Sequence, residues 1–295
     1  MSPRMMNVFL VASAVHGAHA AAPVVGLLAW QRAIAGMSAY MAATIVSSPV
    51  DVVKTRLQAA PQQQSQVEVV RSMVMKDGLT VFFAGIGPAM LMAPAAVVQY
   101  TLLDPLREIM PLFAAAIIAG TLDITLKCPF DRLKTQLQSG SGGEKKTASA
   151  LLRATYRANG IRGLWSGYGA TLARDVPYLV LKWLTYTYAQ SLLVQVSLGD
   201  TMRAFAGARN LVAGAIAGAV AATAVTPADV IKTRMQVKPA GAVTASEVAR
   251  EIFAEGGAVA FFRGLGPRLM RIPVYTAVTL ATFDLVKDLF SAGVL

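Results

Sequence analysis

Few residues of this chain could carry out covalent or metal chemistry. Among its 295 residues there are one cysteine and two histidines. Cys128 has no second thiol with which to form a disulfide, and its place in an apolar run indicates a small buried residue. His16 and His19 are isolated, and neither an EF-hand spacing nor a nucleophile–histidine pattern occurs. These absences predict a protein that is not an enzyme and that holds no metal and no cofactor.

Charged residues are also scarce, and most of them are basic. Only 15% of the residues are charged, whereas 55% are hydrophobic and the mean hydropathy is +0.52. This composition argues against a soluble globule, and the lack of alternating barrel-strand patterns favours membrane-spanning helices. The net charge of +11 arises mainly at the ends of apolar segments, without interleaved aromatic residues. The distribution favours an anionic lipid or solute as partner, and not nucleic acid.

One ten-residue pattern occurs three times. Proline, aspartate, lysine and glutamine recur at fixed offsets from Pro49 to Gln58, from Pro129 to Gln138 and from Pro227 to Gln236. Each copy follows a long apolar stretch, and recurrence at a fixed period indicates a repeat protein. We therefore predict three repeats, at residues 23–109, 110–195 and 205–295, after a separate segment at 1–22.

The segment at 1–22 has two interpretations. Arg4, an apolar run over residues 5–15 and small residues near Ala20 resemble a secretory signal. The same residues also suit an apolar leader before the first membrane span. Both interpretations leave the rest of the chain unaffected.

A short surface helix is predicted after each motif. The segments 65–78, 147–160 and 244–257 align without a gap, and each ends in glycine. Ser65 with Glu68, and Thr244 with Glu247, form capping-box patterns that start a helix, whereas the middle segment has its cap but lacks the acid. Apolar residues on one face indicate amphipathic helices lying at a membrane surface.

Two long apolar segments per repeat predict six membrane spans. They lie near residues 25–53, 87–106, 112–134, 168–190, 208–233 and 265–289. Each has about 20 or more residues, which is enough to cross roughly 30 Å of hydrocarbon. The predicted fold is an all-α membrane protein with six transmembrane helices in three pseudosymmetric repeats. Small-residue spacings such as Ala115 with Ala119 and Gly214 with Gly218 suit close helix packing.

The motif places an acid and a base at the end of each first span. A charge near hydrocarbon costs about 2.5–3.5 kcal/mol on insertion scales, so these residues need partners. Each aspartate could pair with the lysine three residues later on its own helix. Alternatively, each could pair with a neighbouring helix, which would close a ring of three pairs across a pore.

These features together resemble the mitochondrial carrier family over about residues 25–290. The resemblance implies a bundle of six kinked helices around a central cavity that opens alternately to either side of the membrane. It implies a matrix-side gate, braced by glutamines, formed by Asp51, Lys54, Asp131, Lys134, Asp229 and Lys232 with Gln58, Gln138 and Gln236. It also implies a location in the mitochondrial inner membrane, although the signal-like N-terminus leaves another organelle membrane open.

The family's opposite gate, on the cytoplasmic side, is only partly present. Its aromatic-acid-x-x-base pattern is matched by Asp284 with Lys287 and in weaker form by Asp104 with Arg107, but the middle repeat has Thr187 and Gln190 instead. We expect a weaker gate on that side. The matrix-side pattern departs from the family at Gln136, which replaces a base, and at Asn159 and Gly256, which replace acids.

The substrate site is expected at mid-membrane. Seven residues past the glycine that opens each second span stand Met92, Arg174 and Arg271, which match the family's three contact points. Independently of the family, an intramembrane arginine must face water, protein or a ligand anion, and arginine suits carboxylate capture. Five further residues on the same faces complete the predicted substrate-binding set: Gln99, Asp175, Tyr178, Lys182 and Thr279.

Arg174 followed by Asp175 resembles the contact pair of amino-acid carriers, because a zwitterion needs both signs of charge. Among amino-acid carriers, the sequence most resembles those of the aspartate/glutamate type, without a calcium-binding extension. Asp123 and Lys127 have no charged counterparts in the other repeats. They either neutralise each other or, in an uncoupling-type carrier, supply a proton site.

The leading hypothesis is an antiporter of a small anionic or amphoteric metabolite, an amino acid above all. The alternatives are a nucleotide or adenosine-containing cofactor carrier and an uncoupling-type proton leak. The partners expected from the resemblance are a small-molecule solute and the lipid bilayer, with anionic lipid such as cardiolipin at the matrix-side helices. The carrier is expected to be a monomer.

Overall fold

Helices make up the whole of the regular structure in the described part of the chain. The computed structural model describes residues 29–60, 65–140, 147–195, 206–238 and 243–292, and these contain no strand. The all-α prediction is therefore confirmed. The predicted leader at 1–22 lies outside the described residues.

Each repeat consists of a long helix, a short surface helix and a second long helix. The first long helices are α1 (Ala29–Ala59), α5 (Leu112–Ser139) and α8 (Ala206–Val237). The surface helices are α2 (Gln66–Asp77), α6 (Ala148–Asn159) and α9 (Ala245–Gly256). In the first repeat the second long helix is divided into α3 (Ile86–Met90) and α4 (Ala93–Ile109), whereas α7 (Tyr168–Gln195) and α10 (Leu265–Ser291) are continuous. Short 3-10 helices at Leu79–Phe83, Ile161–Trp165 and Gly257–Phe262 connect the surface helices to the second long helices.

The motif proline lies inside each first long helix. Pro49, Pro129 and Pro227 are all followed by about ten further helical residues before the helix ends. A proline within a helix removes one backbone hydrogen bond and bends the axis at that point. The repeated acid, base and glutamine therefore lie on the short helical arm that follows the bend.

The surface helices start as their caps predict. The Ser65 hydroxyl accepts from the Glu68 amide at 3.2 Å, and the Glu68 carboxylate accepts from the Ser65 amide at 2.9 Å. Thr244 and Glu247 form the same box, while in the middle repeat the Thr147 hydroxyl alone accepts from the Ala150 amide. The predicted capping boxes are thus confirmed.

The surface helices are amphipathic, but the face that packs on the bundle does not include every apolar residue. Val69 and Met73 are buried against the first long helix, whereas Val67 is 76% exposed. In the third repeat Val248 and Ile252 are buried in the same way. The exposed apolar residues form a second apolar strip, so these helices present apolar side chains both to the bundle and outward.

The repeats close into a ring. Helix α4 packs on α5, α7 packs on α8, and α10 packs along α1, so each repeat contacts both of the others. Alanines at four-residue spacing are buried within this bundle: Ala35, Ala39, Ala43, Ala115, Ala119, Ala213, Ala217 and Ala221. Such small residues let helix backbones approach closely. A Cβ built on Gly218 would lie 2.8 Å from the Ile272 side chain, whereas one on Gly214 would meet nothing; of the predicted glycine pair, only Gly218 marks a close approach.

Six long helical segments match the six predicted spans. By length and apolar composition alone, three segments of the described residues qualify as membrane-spanning: Ala33–Ala59, Val212–Val237 and Ala245–Ser291. Helix α4 has 17 residues, and α5 and α7 carry several charged side chains. Most of those charges face the inside of the bundle, whereas Lys182 of α7 is exposed.

Candidate functional site

Three ion pairs close one end of the bundle. Lys134 Nζ lies 3.0 Å from Asp51, Lys232 Nζ lies 2.5 Å from Asp131, and Lys54 Nζ lies 2.7 Å from Asp229. Every pair joins the first long helix of one repeat to that of another. Of the two arrangements that the sequence allows, the structure therefore has the ring and not the pairs within a helix.

The motif glutamines lie directly beneath this ring. Gln58 Nε2 donates to Asp229 at 2.9 Å, and Gln236 Nε2 donates to Asp131 at 3.0 Å. The third glutamine, Gln138, accepts a hydrogen bond from the Thr55 hydroxyl at 2.9 Å. Because these bonds also run between repeats, the glutamines add a polar layer to the same closed end.

Threonines complete the layer and were not singled out in the sequence. Thr135 donates to Gln236 Oε1 at 2.9 Å, and Thr233 donates to Gln58 Oε1 at 3.0 Å, as Thr55 does to Gln138. All three follow the motif lysine directly, so their recurrence was a visible signal. Each hydroxyl fixes the orientation of the glutamine amide that contacts it.

One predicted departure from the family pattern is compensated in the structure. Gly256 stands where an acid was expected, but Glu255, one residue earlier, binds Arg234 at 2.6 Å and Arg263 at 2.8 Å. The equivalent pair in the first repeat is Arg56 with Asp77, at 2.7 Å. The sequence comparison missed Glu255 because it required strict register, whereas a long carboxylate side chain reaches the same base from the neighbouring position.

A cavity of about 330 Å³ lies against the inner side of the ring. Of the predicted substrate-binding residues, five line it: Met92, Arg174, Asp175, Tyr178 and Arg271. Lining residues that were not in that set include Tyr40, Asp123, Lys127 and Thr171. Among the described residues no cluster of three or more acids, histidines or cysteines is placed to hold a metal ion.

Two of the other three predicted substrate contacts, Lys182 and Thr279, do not line this cavity. Lys182 is exposed, and the Thr279 hydroxyl donates to the backbone oxygen of Tyr275 at 2.7 Å. The side chain of Gln99 lies outside the described part of the structure. These three remain predictions from helix periodicity.

The two cavity arginines bind acids of the ring. Arg174 Nη1 lies 2.7 Å from Asp229, while its Nε donates to Asp175 at 2.7 Å. Arg271 Nε lies 2.6 Å from Asp51, and its guanidinium stacks 4.5 Å from the centre of the Tyr275 ring. The cavity and the ring thus share charges, because the two cavity arginines neutralise two of the three ring carboxylates.

A third arginine, Arg268, also binds a ring aspartate, although it was not among the residues predicted from the sequence. Arg268 Nη1 lies 3.1 Å from Asp229, and its guanidinium lies 5.6 Å from the centre of the Tyr178 ring. It stands three residues before Arg271 on the same helix, which was the available signal. Asp229 consequently binds Lys54, Arg174 and Arg268, whereas Asp131 binds a single cation.

Asp123 and Lys127 form an ion pair in the cavity wall. Lys127 Nζ lies 2.6 Å from Asp123 on the same helix, and it lies 5.4 Å from the centre of the Tyr40 ring. The pair is therefore arranged as mutual neutralisation requires, with both side chains at the cavity surface.

The opposite end of the bundle shows no comparable closure among the described side chains. Asp284 is exposed and Lys287 is half-buried, and neither takes part in a described ion pair. The side chains of Asp104 and Arg107 fall outside the described part. In the middle repeat Gln190 donates to the Tyr186 hydroxyl at 3.1 Å, within the same helix, where the other repeats have an acid and a base. This conformation is thus closed at the motif end by ion pairs.

Comparison with known proteins points to one family. The family model described as Mitochondrial carrier protein matches three times, over residues 26–112, 107–197 and 205–293. These matches cover nearly the whole chain and coincide with the three structural repeats.

The chain is similar to several curated carriers. It is 30% identical to a mitochondrial glycine transporter of Xenopus tropicalis, over 83% of this chain and 85% of the relative. It is 27% identical to a mitochondrial glutathione transporter of Danio rerio, over 88% of this chain and 89% of the relative. It is also 30% identical to a mitochondrial aspartate-glutamate transporter of Saccharomyces cerevisiae, over 83% of this chain but 30% of that longer relative. With the triple repeat and the closed ring of charges, these matches show that the chain belongs to the mitochondrial carrier family.

Proposed function

We propose that this carrier exchanges a small amino acid of zero or one net negative charge by alternating access. Members of the family are multi-pass solute transporters of the mitochondrial inner membrane, and this chain is accordingly a transporter and not an enzyme. The charge pattern of the central cavity is the observation that carries this proposal.

Both signs of charge line the cavity, with a small positive excess. Six bases and five acids face it, and most are paired with each other. Arg174 and Asp175 stand at the same level, so one can bind a carboxylate while the other binds an ammonium group. A zwitterion or a monoanion leaves such a cavity close to neutral, which an intramembrane site requires.

The relatives agree with this chemistry. Glycine, glutathione, aspartate and glutamate, the solutes in their names, all carry an ammonium and a carboxylate group. A nucleotide would bring several negative charges and no ammonium, for which Asp175 would be a repulsive neighbour. A nucleotide or adenosine-containing cofactor is therefore the second candidate within transport, and a proton leak through Asp123 is the third.

Exchange assays distinguish the three candidates. Liposomes containing the purified carrier are loaded with glycine, aspartate, glutamate, ADP or phosphate, and uptake of labelled external solute is measured. We expect uptake that depends on an internal amino acid. Nucleotide exchange without amino-acid exchange would disprove the proposal, and proton flux without solute exchange would favour the leak.

Alternating access also requires a gate on each side of the cavity. In the conformation described here the matrix ring is closed, and the cavity solute would be bound from the other side. When the ring opens, we propose that Asp104 with Arg107 and Asp284 with Lys287 form the opposite closure. With two charged pairs instead of three, that closure is weaker than the matrix ring.

We further propose a monomer with cardiolipin at the surface helices. Exposed bases on these helices, such as Arg71, Arg153 and Arg250, stand beside exposed apolar residues such as Val67 and Phe253. An anionic lipid satisfies both kinds of surface. Added cardiolipin should raise the midpoint of thermal unfolding more than a neutral lipid at the same concentration does; equal shifts would contradict the proposal.

A further inference from the structure

Side chains of each repeat bind the backbone at the matrix end of the next one. Arg56 Nε donates to the carbonyl of Gln138 at 3.2 Å, Gln136 Nε2 to that of Gln236 at 3.0 Å, and Arg234 Nε to that of Gln58 at 3.1 Å. The donors occupy equivalent positions, as do the acceptors. Carbonyls in the last turn of a helix lack helical partners, so each bond satisfies one of them.

An arginine reaches a second carbonyl that a glutamine at the same position does not. Arg234 Nη2 donates to the carbonyl of Ala60 at 2.7 Å, two residues beyond Gln58. The equivalent carbonyl beside Gln136 is that of Lys238. It is bound instead by Arg132 Nη2 at 3.1 Å, from one helical turn earlier in α5. The other terminal nitrogen of Arg132 donates to the carbonyl of Ser166 at 3.3 Å, just before α7.

Arg132 is unusual for its position. It is 1% exposed and forms no ion pair with a carboxylate among the described residues, whereas the equivalent residues Val52 and Val230 are buried in apolar clusters. A buried cation is unfavourable unless hydrogen bonds replace its hydration. Its bonds to the backbone at Lys238 and Ser166 replace part of that hydration, while its buried Nε has no hydrogen-bond partner among the described residues.

We propose that Arg132 serves as the second base of the middle repeat and is a positioning residue of the matrix gate. From the place of a core valine it binds a second carbonyl at the end of α8 and one at the start of α7, neither of which Gln136 binds. Asp131 and Lys232 join the same two long helices. Opening the gate separates them, so the bond from Arg132 to Lys238 forms in the closed conformation and breaks in each cycle; this inference rests on the proposed alternating access.

Transplanting the first repeat's arrangement tests the proposal. The first repeat has Val52, Arg56 and Asp77 where the middle repeat has Arg132, Gln136 and Asn159. Three proteins are compared: the Arg132→Val variant, the triple variant Arg132→Val/Gln136→Arg/Asn159→Asp, and the control Arg162→Val, which removes an exposed arginine of the same repeat.

The readout is the alkylation rate of Cys128, the one cysteine of the chain, by a hydrophilic maleimide. Cys128 lines the cavity beside the closed ring but is 1% exposed in this conformation, so we expect it to react faster when the ring opens. For Arg132→Val we expect an alkylation rate about tenfold above that of the unaltered carrier, since one hydrogen bond of a charged group between α5 and α8 is lost. The triple variant should return to within about twofold, and Arg162→Val should not differ.

Three outcomes overturn the proposal. The first is an unchanged alkylation rate in Arg132→Val, including the case in which only the midpoint of thermal unfolding falls, as a solely structural role predicts. The second is a triple variant that is folded but as reactive as Arg132→Val. The third applies if Arg132→Val is not recovered from the membrane, so that only the triple variant can be measured. Failure of the triple variant to insert then overturns the proposal, whereas an alkylation rate like that of the unaltered carrier supports it. Alkylation needs no knowledge of the cargo, so failure of the amino-acid proposal would be seen separately in the exchange assay.

Discussion

At the scale of single residues, Arg174 has two candidate roles, substrate binding and structural ion pairing, and substitutions distinguish them. It lines the cavity, and it binds Asp175 and the gate residue Asp229. A substrate-binding arginine and a purely structural ion-pair member both fail when replaced by alanine. They differ when the neighbouring acid is removed as well.

We predict that Arg174→Ala reduces exchange at least about a hundredfold while the protein still inserts, because bidentate charge-assisted bonds to a carboxylate are lost. The double variant Arg174→Ala/Asp175→Ala should stay inactive, since the carboxylate site is still missing. The measurement is the initial rate of labelled amino-acid uptake, with Arg157→Ala, an exposed arginine of α6, as control. Recovery of uptake in the double variant would show that Arg174 only neutralises Asp175.

The ring aspartates are chemically identical but differ in their partners, which leads to a second prediction. Asp131 forms an ion pair with Lys232 and accepts a bond from the neutral Gln236, whereas Asp229 binds the three cations Lys54, Arg174 and Arg268. Exchanging the two members of an ion pair preserves the pair only where neither position also binds a third charged side chain.

We therefore predict unequal results for two charge exchanges. Lys232→Asp alone should reduce uptake more than about tenfold, because breaking a buried pair leaves an uncompensated charge. Asp131→Lys/Lys232→Asp should recover it to within about threefold. The corresponding exchange of Asp229 and Lys54 should remain inactive, since its new lysine would face two arginines. Equal recovery of both exchanged pairs in the uptake assay would refute this account.

At the scale of elements, the surface helix of the middle repeat starts with an incomplete cap. Thr147 supplies the hydroxyl, but Ala150 stands where the other two repeats have glutamate. We predict that Ala150→Glu completes the capping box and raises the midpoint of thermal unfolding by about 1–3 °C. Ala154→Glu, which adds the same charge in the middle of α6, should have a smaller effect in the same detergent-solubilised unfolding assay. A shift no greater than that of the control would contradict the prediction.

The elements themselves were largely predictable, because they are set by local chemistry that repeats three times. The prolines, caps and apolar lengths defined the helices, and the capping boxes formed as expected. The first span extends through the motif to Ala59 instead of ending near residue 53, since nothing after Pro49 stops the helix until the polar loop. Boundaries of this kind depend on where a stop signal lies and not on hydropathy.

The contacts that were missed all depend on the reach of long side chains between helices. Glu255 replaces an acid from the adjacent position, Arg132 replaces a base from one turn earlier, and Arg268 meets Asp229 on another helix of the same repeat. A strict alignment of repeats compares equivalent positions, so it records each of these as a loss or as a neutral change. Only the geometry between helices shows that a long side chain serves a neighbouring position.

At the scale of the whole molecule, the two ends of the bundle are unequal. Ion pairs from all three repeats close the matrix end, while the middle repeat offers Thr187 and Gln190 at the other end. An antiporter cycles between two closures, so their relative strength sets which conformation is populated at rest. This carrier should rest with its matrix gate shut.

Adding the missing pair should shift that balance. We predict that Thr187→Asp/Gln190→Lys slows exchange by about two- to fivefold, because one more ion pair strengthens the opposite closure. Alkylation of Cys128 should rise in the same variant, since the matrix gate is open for more of the time. Thr187→Asn/Gln190→Asn is the uncharged control. Faster exchange with unchanged alkylation would show that no closure forms there.

The packing of α10 along α1 has a consequence for the order of the chain. Because the last helix completes the same interface that α4 makes with α5 and α7 makes with α8, the three repeats form a cycle with no structural first member. The carrier is thus defined by the cyclic order of its repeats, and the backbone break between the third and the first is one of three equivalent places. A circular permutant that begins at Leu112, with a linker joining the former ends, should assemble the same gate from the same six charges.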